Sequence, residues 1–175
     1  MVTKRTATRT GSTVLPMVPS KLIDIAVRDM RKALKKKWVI DMSNWYDPKA
    51  EVTCSVGDDI VIEEYTVCTA CAAGAVMAFS LANASQLKRA LEPSDFTANE
   101  RQLRAINALR EGSSLEAANE LELVTDMNLD YDAQQAQYDA LHRLDTVIPD
   151  FDQKKPELFF KAMEAFSAKL KKAGY

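Results

Sequence analysis

The stretch from Val67 to Leu81, VCTACAAGAVMAFSL, constrains this chain more than any other. Two cysteines open it, alanine and glycine follow, and it turns bulky only at Val76, Met77 and Phe79. Read at helical spacing, Cys68, Cys71, Ala75, Ala78 and Ala82 make one narrow ridge of small side chains. A ridge that slim lets a second backbone come close, so the stretch belongs at a crossing inside a packed core. Its helix is expected to run to about Ala84.

The chain has the means to surround such a crossing. Its 175 residues, 47% of them hydrophobic, suit one domain with a core that needs no disulfides. Glycines (5) and prolines (6) are few while good helix formers abound, which predicts a mainly α fold. Residues 1–19, rich in threonine and carrying Lys4, Arg5 and Arg9, read as a flexible N-terminal arm, and 20–175 as a single helical domain. Lysine and arginine (23) nearly balance aspartate and glutamate (25), which argues against a dedicated nucleic-acid binder. No apolar run is long enough for a membrane span and no secretory h-region is present, so a cytoplasmic location is expected.

Helical periodicity is clear at both ends. Ser20 is the expected N-cap of a first helix carrying Leu22, Ile25, Ala26, Met30, Ala33 and Leu34, with Asp24 and Arg28 four apart. Lys35, Lys36 and Lys37 suit its C-terminal dipole and read as a solvated helix end. Trp38 and Trp45 are apolar anchors expected to close the core under that helix, and Asp47-Pro48 is expected to end the segment. Glu51 to Tyr65 alternates around Gly57-Asp58-Asp59 and predicts a short β-hairpin. A short helix is expected at Ser85–Leu91, stopped by Pro93. Thr97-x-x-Glu100 reads as a capping box before Leu103, Ile106 and Leu109, with Gly112 ending that helix. Ser113-x-x-Glu116 opens another, and a further helix is expected from Tyr131 to Leu144. The last begins at Pro156, carries Leu158, Phe159, Ala162, Met163, Phe166 and Leu170, and precedes Gly174. The expected architecture is a mainly α, single-domain bundle of about six helices with one small β-hairpin near 51–65.

The cysteines admit three chemistries. Cys68-x-x-Cys71 could be a redox pair, but Thr69 and Ala70 lie between the thiols and no parallel βαβ pattern surrounds them. Cys54, Cys68, Cys71 and the lone His142 could hold zinc, although one knuckle with two scattered ligands is a weak pattern. As slim apolar residues at a helix crossing they need no cofactor, and this reading is preferred; no cofactor is expected. Asp126, Asn128, Asp130 and Asp132 mimic a calcium loop, yet Tyr131 stands where glycine is needed and Gln137 where a glutamate belongs. Adjacent Glu63 and Glu64 point to opposite faces of a strand, and no phosphate-cradling glycine loop or nucleophile elbow is present. An enzyme is therefore not expected.

With IDMSNW (Ile40–Trp45) followed by the cysteine stretch, the chain resembles a family of small uncharacterised proteins encoded by tailed bacteriophages. The matching positions are Asp41, Met42, Trp45, Cys68, Cys71, Gly74, Ala75, Val76, Met77 and Ala78, within a looser match over residues 20–125. Tyr46 departs from the pattern where a histidine is expected, and the hairpin is longer than the usual connection. The resemblance implies a phage accessory protein that binds and modulates a host protein in the bacterial cytoplasm, for host takeover or against defence. Asp41, Trp45, Cys68, Cys71, Gly74 and Met77 are its candidate interaction residues, and a host protein or a homo-oligomer its expected partner. The alternative is a small zinc-stabilised regulatory or nucleic-acid-binding module.

Overall fold

The computed structural model describes residues 14–56, 61–111 and 148–175. Its first helix, α1 (Pro19–Lys35), starts on a proline, whose missing N–H costs nothing in a first turn. The N-cap is Val18, not Ser20. Ser20 instead lies buried in the first turn, and its carbonyl accepts a hydrogen bond from Ser167 Oγ at 3.1 Å. Leu22, Ile23, Ala26, Val27, Met30 and Ala33 form the buried stripe, which packs against three other helices. Lys37, at φ 61°, turns the chain out of the helix toward the sheet.

Strands β1 (Val39–Ile40), β2 (Tyr46–Val56) and β3 (Val61–Ala70) form one sheet in the order β1-β3-β2. β1 runs parallel to β3 and β2 antiparallel to it. The hairpin is thus longer than the expected 51–65, and β3 continues to Ala70. Tyr65, Thr66, Val67 and Thr69 are strand formers, and the pairing with β2 overrides the helical spacing of the small residues among them. Pro48 does not end the segment either. The register moves from Asp47↔Thr69 to Ala50↔Val67, so β2 carries an extra residue there, a bulge where a missing N–H is tolerated.

Helix α2 (Ala72–Val76) follows directly and widens into a π turn over Met77–Leu81, closed by the Ala82 N–H to the Met77 carbonyl at 2.7 Å. Only a 3-10 turn, Gln86–Lys88, occupies the place of the expected helix at 85–91. The capping box lies at Glu92 and Asp95 and opens a second 3-10 segment, Pro93–Asn99. Glu100 starts α3 (Glu100–Glu111) and pairs with Arg104 instead of capping. α4 (Pro156–Ala173) ends on Gly174 in the left-handed region, as its sequence predicts. Phe159, Met163, Phe166 and Leu170 are buried, but Leu158 is 61% exposed and not part of the stripe.

Four α-helices and a three-stranded sheet are therefore present among the described residues, where about six helices and a hairpin were expected. The expected N-terminal arm up to Thr13, the helix from Ser113 and the helix at Tyr131–Leu144 lie outside the described residues. Leu15, near the end of the expected arm, is buried in the core. α1 and α4 pack antiparallel: Asp24 meets Ser167 and Lys171 near one end, and Arg31 meets Glu157 and Glu164 near the other. No helix among the described residues is long and apolar enough to cross a membrane.

Candidate functional site

Sheet order explains why the two sequence motifs meet. β2 lies on the far side of β3 from β1, so the connection Asp41–Trp45 must pass over the end of β3. It crosses where β3 gives way to α2. The Asp41 N–H donates to the Ala70 carbonyl at 3.2 Å. The Asp41 carboxylate then shapes the turn, accepting from the Ser43 N–H (2.9 Å), the Ser43 hydroxyl (2.6 Å) and Asn44 Nδ2 (2.7 Å). Burial alone would push this carboxyl above its ordinary range. The donors from Ser43 and Asn44, with the charge of Arg110, more than offset it and hold the carboxyl below 3.8.

The turn is received by the start of α2. The Cys71 N–H reaches both the Asn44 carbonyl (2.9 Å) and the Trp45 carbonyl (3.1 Å). Cys71 is also the N-cap of α2: its Sγ accepts from the Gly74 N–H at 3.2 Å, the part usually taken by serine or aspartate. Gly74 makes the crossing possible. A Cβ on it would stand 1.2 Å from the Trp45 carbonyl oxygen, inside that atom. Asp41, Trp45, Cys71 and Gly74 are thus one device, a clasp that fastens the crossing turn to the strand–helix junction.

Cys68 and Met77 are not part of the clasp. Met77 is wholly buried in the core. Cys68 lies on β3, so the predicted ridge running from it along one helix does not exist; the helix begins at Ala72. Its half-buried thiol neighbours the Tyr46 hydroxyl. Burial pushes the Cys68 thiol up, Tyr46 pulls it down and the Asp47 carboxylate raises it again, leaving it at about 11. Tyr46 is itself shifted up by burial and by Cys68, and its hydroxyl donates to the Leu87 carbonyl at 3.0 Å. A thiol this hard to ionise is a poor nucleophile near neutral pH. Among the described residues no group of three or more histidine, cysteine, aspartate or glutamate side chains is placed to hold a metal. The Cys54 side chain, His142 and the Asp126–Asp132 stretch lie outside the described residues.

A second cluster was not anticipated. Asp29 is on α1 and its side chain is fully buried. Arg28 donates to it through Nε (2.8 Å) and Nη2 (3.0 Å), Lys32 Nζ at 2.7 Å, and the hydroxyl of Ser80, on the π turn, at 2.5 Å. Arg28 also reaches Ser80 Oγ at 2.8 Å. The expected partner of Arg28, Asp24, is engaged by Lys171 and Ser167 instead, which hold its carboxyl below 3.8 against the opposing effect of burial. One sequence signal could have exposed the cluster: Asp29 occupies a position of the apolar stripe, three after Ala26. Beside it, Trp38 stacks on Phe79 (4.9 Å between centroids), while Lys32 and Lys36 lie 5.7 Å above the Phe79 ring. Trp38 closes the core beneath the end of α1, as the sequence predicts, and remains half-buried.

No protein-family model, no curated protein and no solved structure matches this chain.

Proposed function

We propose that this chain is a non-enzymatic bacteriophage accessory protein that binds a host protein and modulates it. The clasp carries this reading. Cys71 serves as a helix cap, Gly74 as a bare contact for a carbonyl, and Asp41 as the organiser of a turn. The distinctive residues thus hold the backbone in place, and the raised Cys68 thiol gives no activated nucleophile. Asp29, a fully buried charged side chain, likewise joins α1 to the π turn. What such a frame offers is a helical core joined to a long pair of strands.

The test is recovery of the tagged full chain from infected and uninfected host cells, with zinc measured on the same preparation. The proposal expects one host protein in fixed proportion, metal-free material, and the same capture by Cys71→Ser. One zinc per chain with collapse in chelator would overturn it in favour of a metal module. Salt-steep binding of DNA or RNA, lost when the lysines at 35–37 become alanine, would favour a nucleic-acid role.

A further inference from the structure

Building on the binding role proposed above, on which this rests, we infer that the groove between α1 and α4 is the face that meets the partner protein. It takes an acidic segment of that partner, with carboxylates set against Arg28, Lys32, Lys35 and Lys36. These cations stand at i, i+4, i+7 and i+8, three along α1 and the last at its C-cap. They share one face of the helix over about 12 Å. The first three line, together with Val27, Arg31 and Glu164, a groove of about 430 Å³. It is open to water: the side chains of Arg28, Lys32 and Glu164 are 52%, 43% and 47% exposed, and Lys35 and Lys36 are exposed as well.

The cations are held in place without being neutralised. Asp29, buried beneath them, engages Arg28 through Nε and Nη2 and Lys32 through Nζ. Arg28 Nη1 and the remaining Lys32 protons have no hydrogen-bond partner among the described residues, and Lys35 and Lys36 form no ion pair there. One buried carboxylate thus lies under four cations, and three positive charges are left over. Lys32 and Lys36 also share the Phe79 ring, each 5.7 Å from its centroid, which steadies both. Side chains already ordered in this way lose little freedom when a ligand arrives. The opposite wall is different, since Arg31 is taken by Glu157 and Glu164, and Asp24 by Lys171. That asymmetry suits a polypeptide better than a nucleic acid. A phosphate backbone carries an unbroken row of charge, which would run past Asp24 and Glu164 as well as past the cations. An acidic segment places its carboxylates singly, opposite Arg28 and the lysines, where charge-assisted hydrogen bonds are strong.

The probe is a fluorescent decaglutamate peptide, titrated with the purified full chain at low salt and read by polarisation beside a fluorescent DNA duplex. Expected is saturable peptide binding that weakens as salt rises. Lys35→Glu/Lys36→Glu should weaken it at least tenfold. Lys49→Glu/Lys172→Glu, an equal change of net charge at exposed lysines elsewhere, should alter it less than twofold. The milder Lys35→Gln/Lys36→Gln, expected to weaken binding at least threefold, replaces the first pair if charge reversal disturbs the fold. No peptide binding, equal losses in the two charge-reversed pairs, or tighter binding of the duplex overturns the inference. Capture from infected cells separates it from the proposed function. A host protein captured equally well by both pairs overturns the groove alone, whereas a parent chain that captures none overturns the function even where the peptide binds.

Discussion

Replacing Gly74 by alanine tests the clasp most directly, because the two physical effects involved have opposite signs. Inside a helix, alanine is better than glycine by about 1 kcal/mol, so propensity alone predicts a more stable protein. The crossing predicts the reverse. The new Cβ would lie 1.2 Å from the Trp45 oxygen and 2.3 Å from its carbonyl carbon. Both are main-chain atoms, so no rotamer change relieves the overlap, and the turn must withdraw by about 2 Å to restore ordinary contact. Overpacking of this kind costs about 1–3 kcal/mol. Withdrawal also takes the Asn44 and Trp45 carbonyls away from the Cys71 N–H, and a buried donor left unpaired costs about 1–3 kcal/mol more. Net of propensity, Gly74→Ala should lose about 1–5 kcal/mol, a large share of the roughly 5–15 kcal/mol typical of a domain. The assay is urea unfolding followed by far-ultraviolet circular dichroism, with Ala75→Gly as the neighbouring control. That control should lose about 2 kcal/mol, from propensity and from the buried methyl it gives up. If Gly74→Ala unfolds at the parent's midpoint or above it, the account of the clasp is wrong.

Other expectations are checked by similar means. Asp29→Ala should destabilise by about 2–4 kcal/mol, toward the lower end because Arg28 and Lys32 are half-exposed and rehydrate. Ser80→Ala should cost about 1 kcal/mol and be nearly silent in the Asp29→Ala background, which a double-mutant cycle in urea would show. Cys71→Ser keeps a capping atom and should stay within about 1 kcal/mol of the parent, whereas Cys71→Ala should lose about 1 kcal/mol in the same melts. With Cys68 at about 11, alkylation of that thiol should be slow at pH 8, rise tenfold per pH unit up to about 10, and become fast in denaturant, as site-resolved mass spectrometry would report. The carboxyls of Asp24, Asp41 and Asp95 are held below 3.8 in the folded chain. Their contribution is complete above the unfolded value and fades as pH falls through the lower folded values, so urea midpoints should be level from pH 7 to about 5 and drop below about 4.

Much of the helical frame was legible because it depends on local pattern. The stripe of α1 and the proline-to-glycine span of α4 can be read directly from spacing and caps. The cysteine stretch could not be read that way, since Cys68 and Cys71 belong to different elements. Small residues are compatible with both strand and helix, and what decides between them is pairing with β2, a partner about twenty positions away. The motif residues themselves were visible, and Gly74 and Cys71 do stand at a close crossing, but of a turn over a helix start and not of two helices. Asp29 was missed for a related reason. A charge on an apolar stripe looks like a break in the pattern until the π turn brings Ser80 against it.

Fastening the sheet at its root has an evolutionary consequence for the ribbon beyond it, where residues 51–56 pair with 66–61. The Leu91 bridge to Tyr46 and the Gln153 bond to the Ile40 carbonyl lock the alignment below the Pro48 bulge, so nothing in the clasp depends on how far the strands run past Ala50. Deleting two residues from each strand would shorten the ribbon by about 7 Å and leave every remaining side chain on its original face, whereas deleting one from each would turn the tip over. Relatives with hairpins of other lengths should therefore differ by even steps, each a spacer of new reach on an unchanged base.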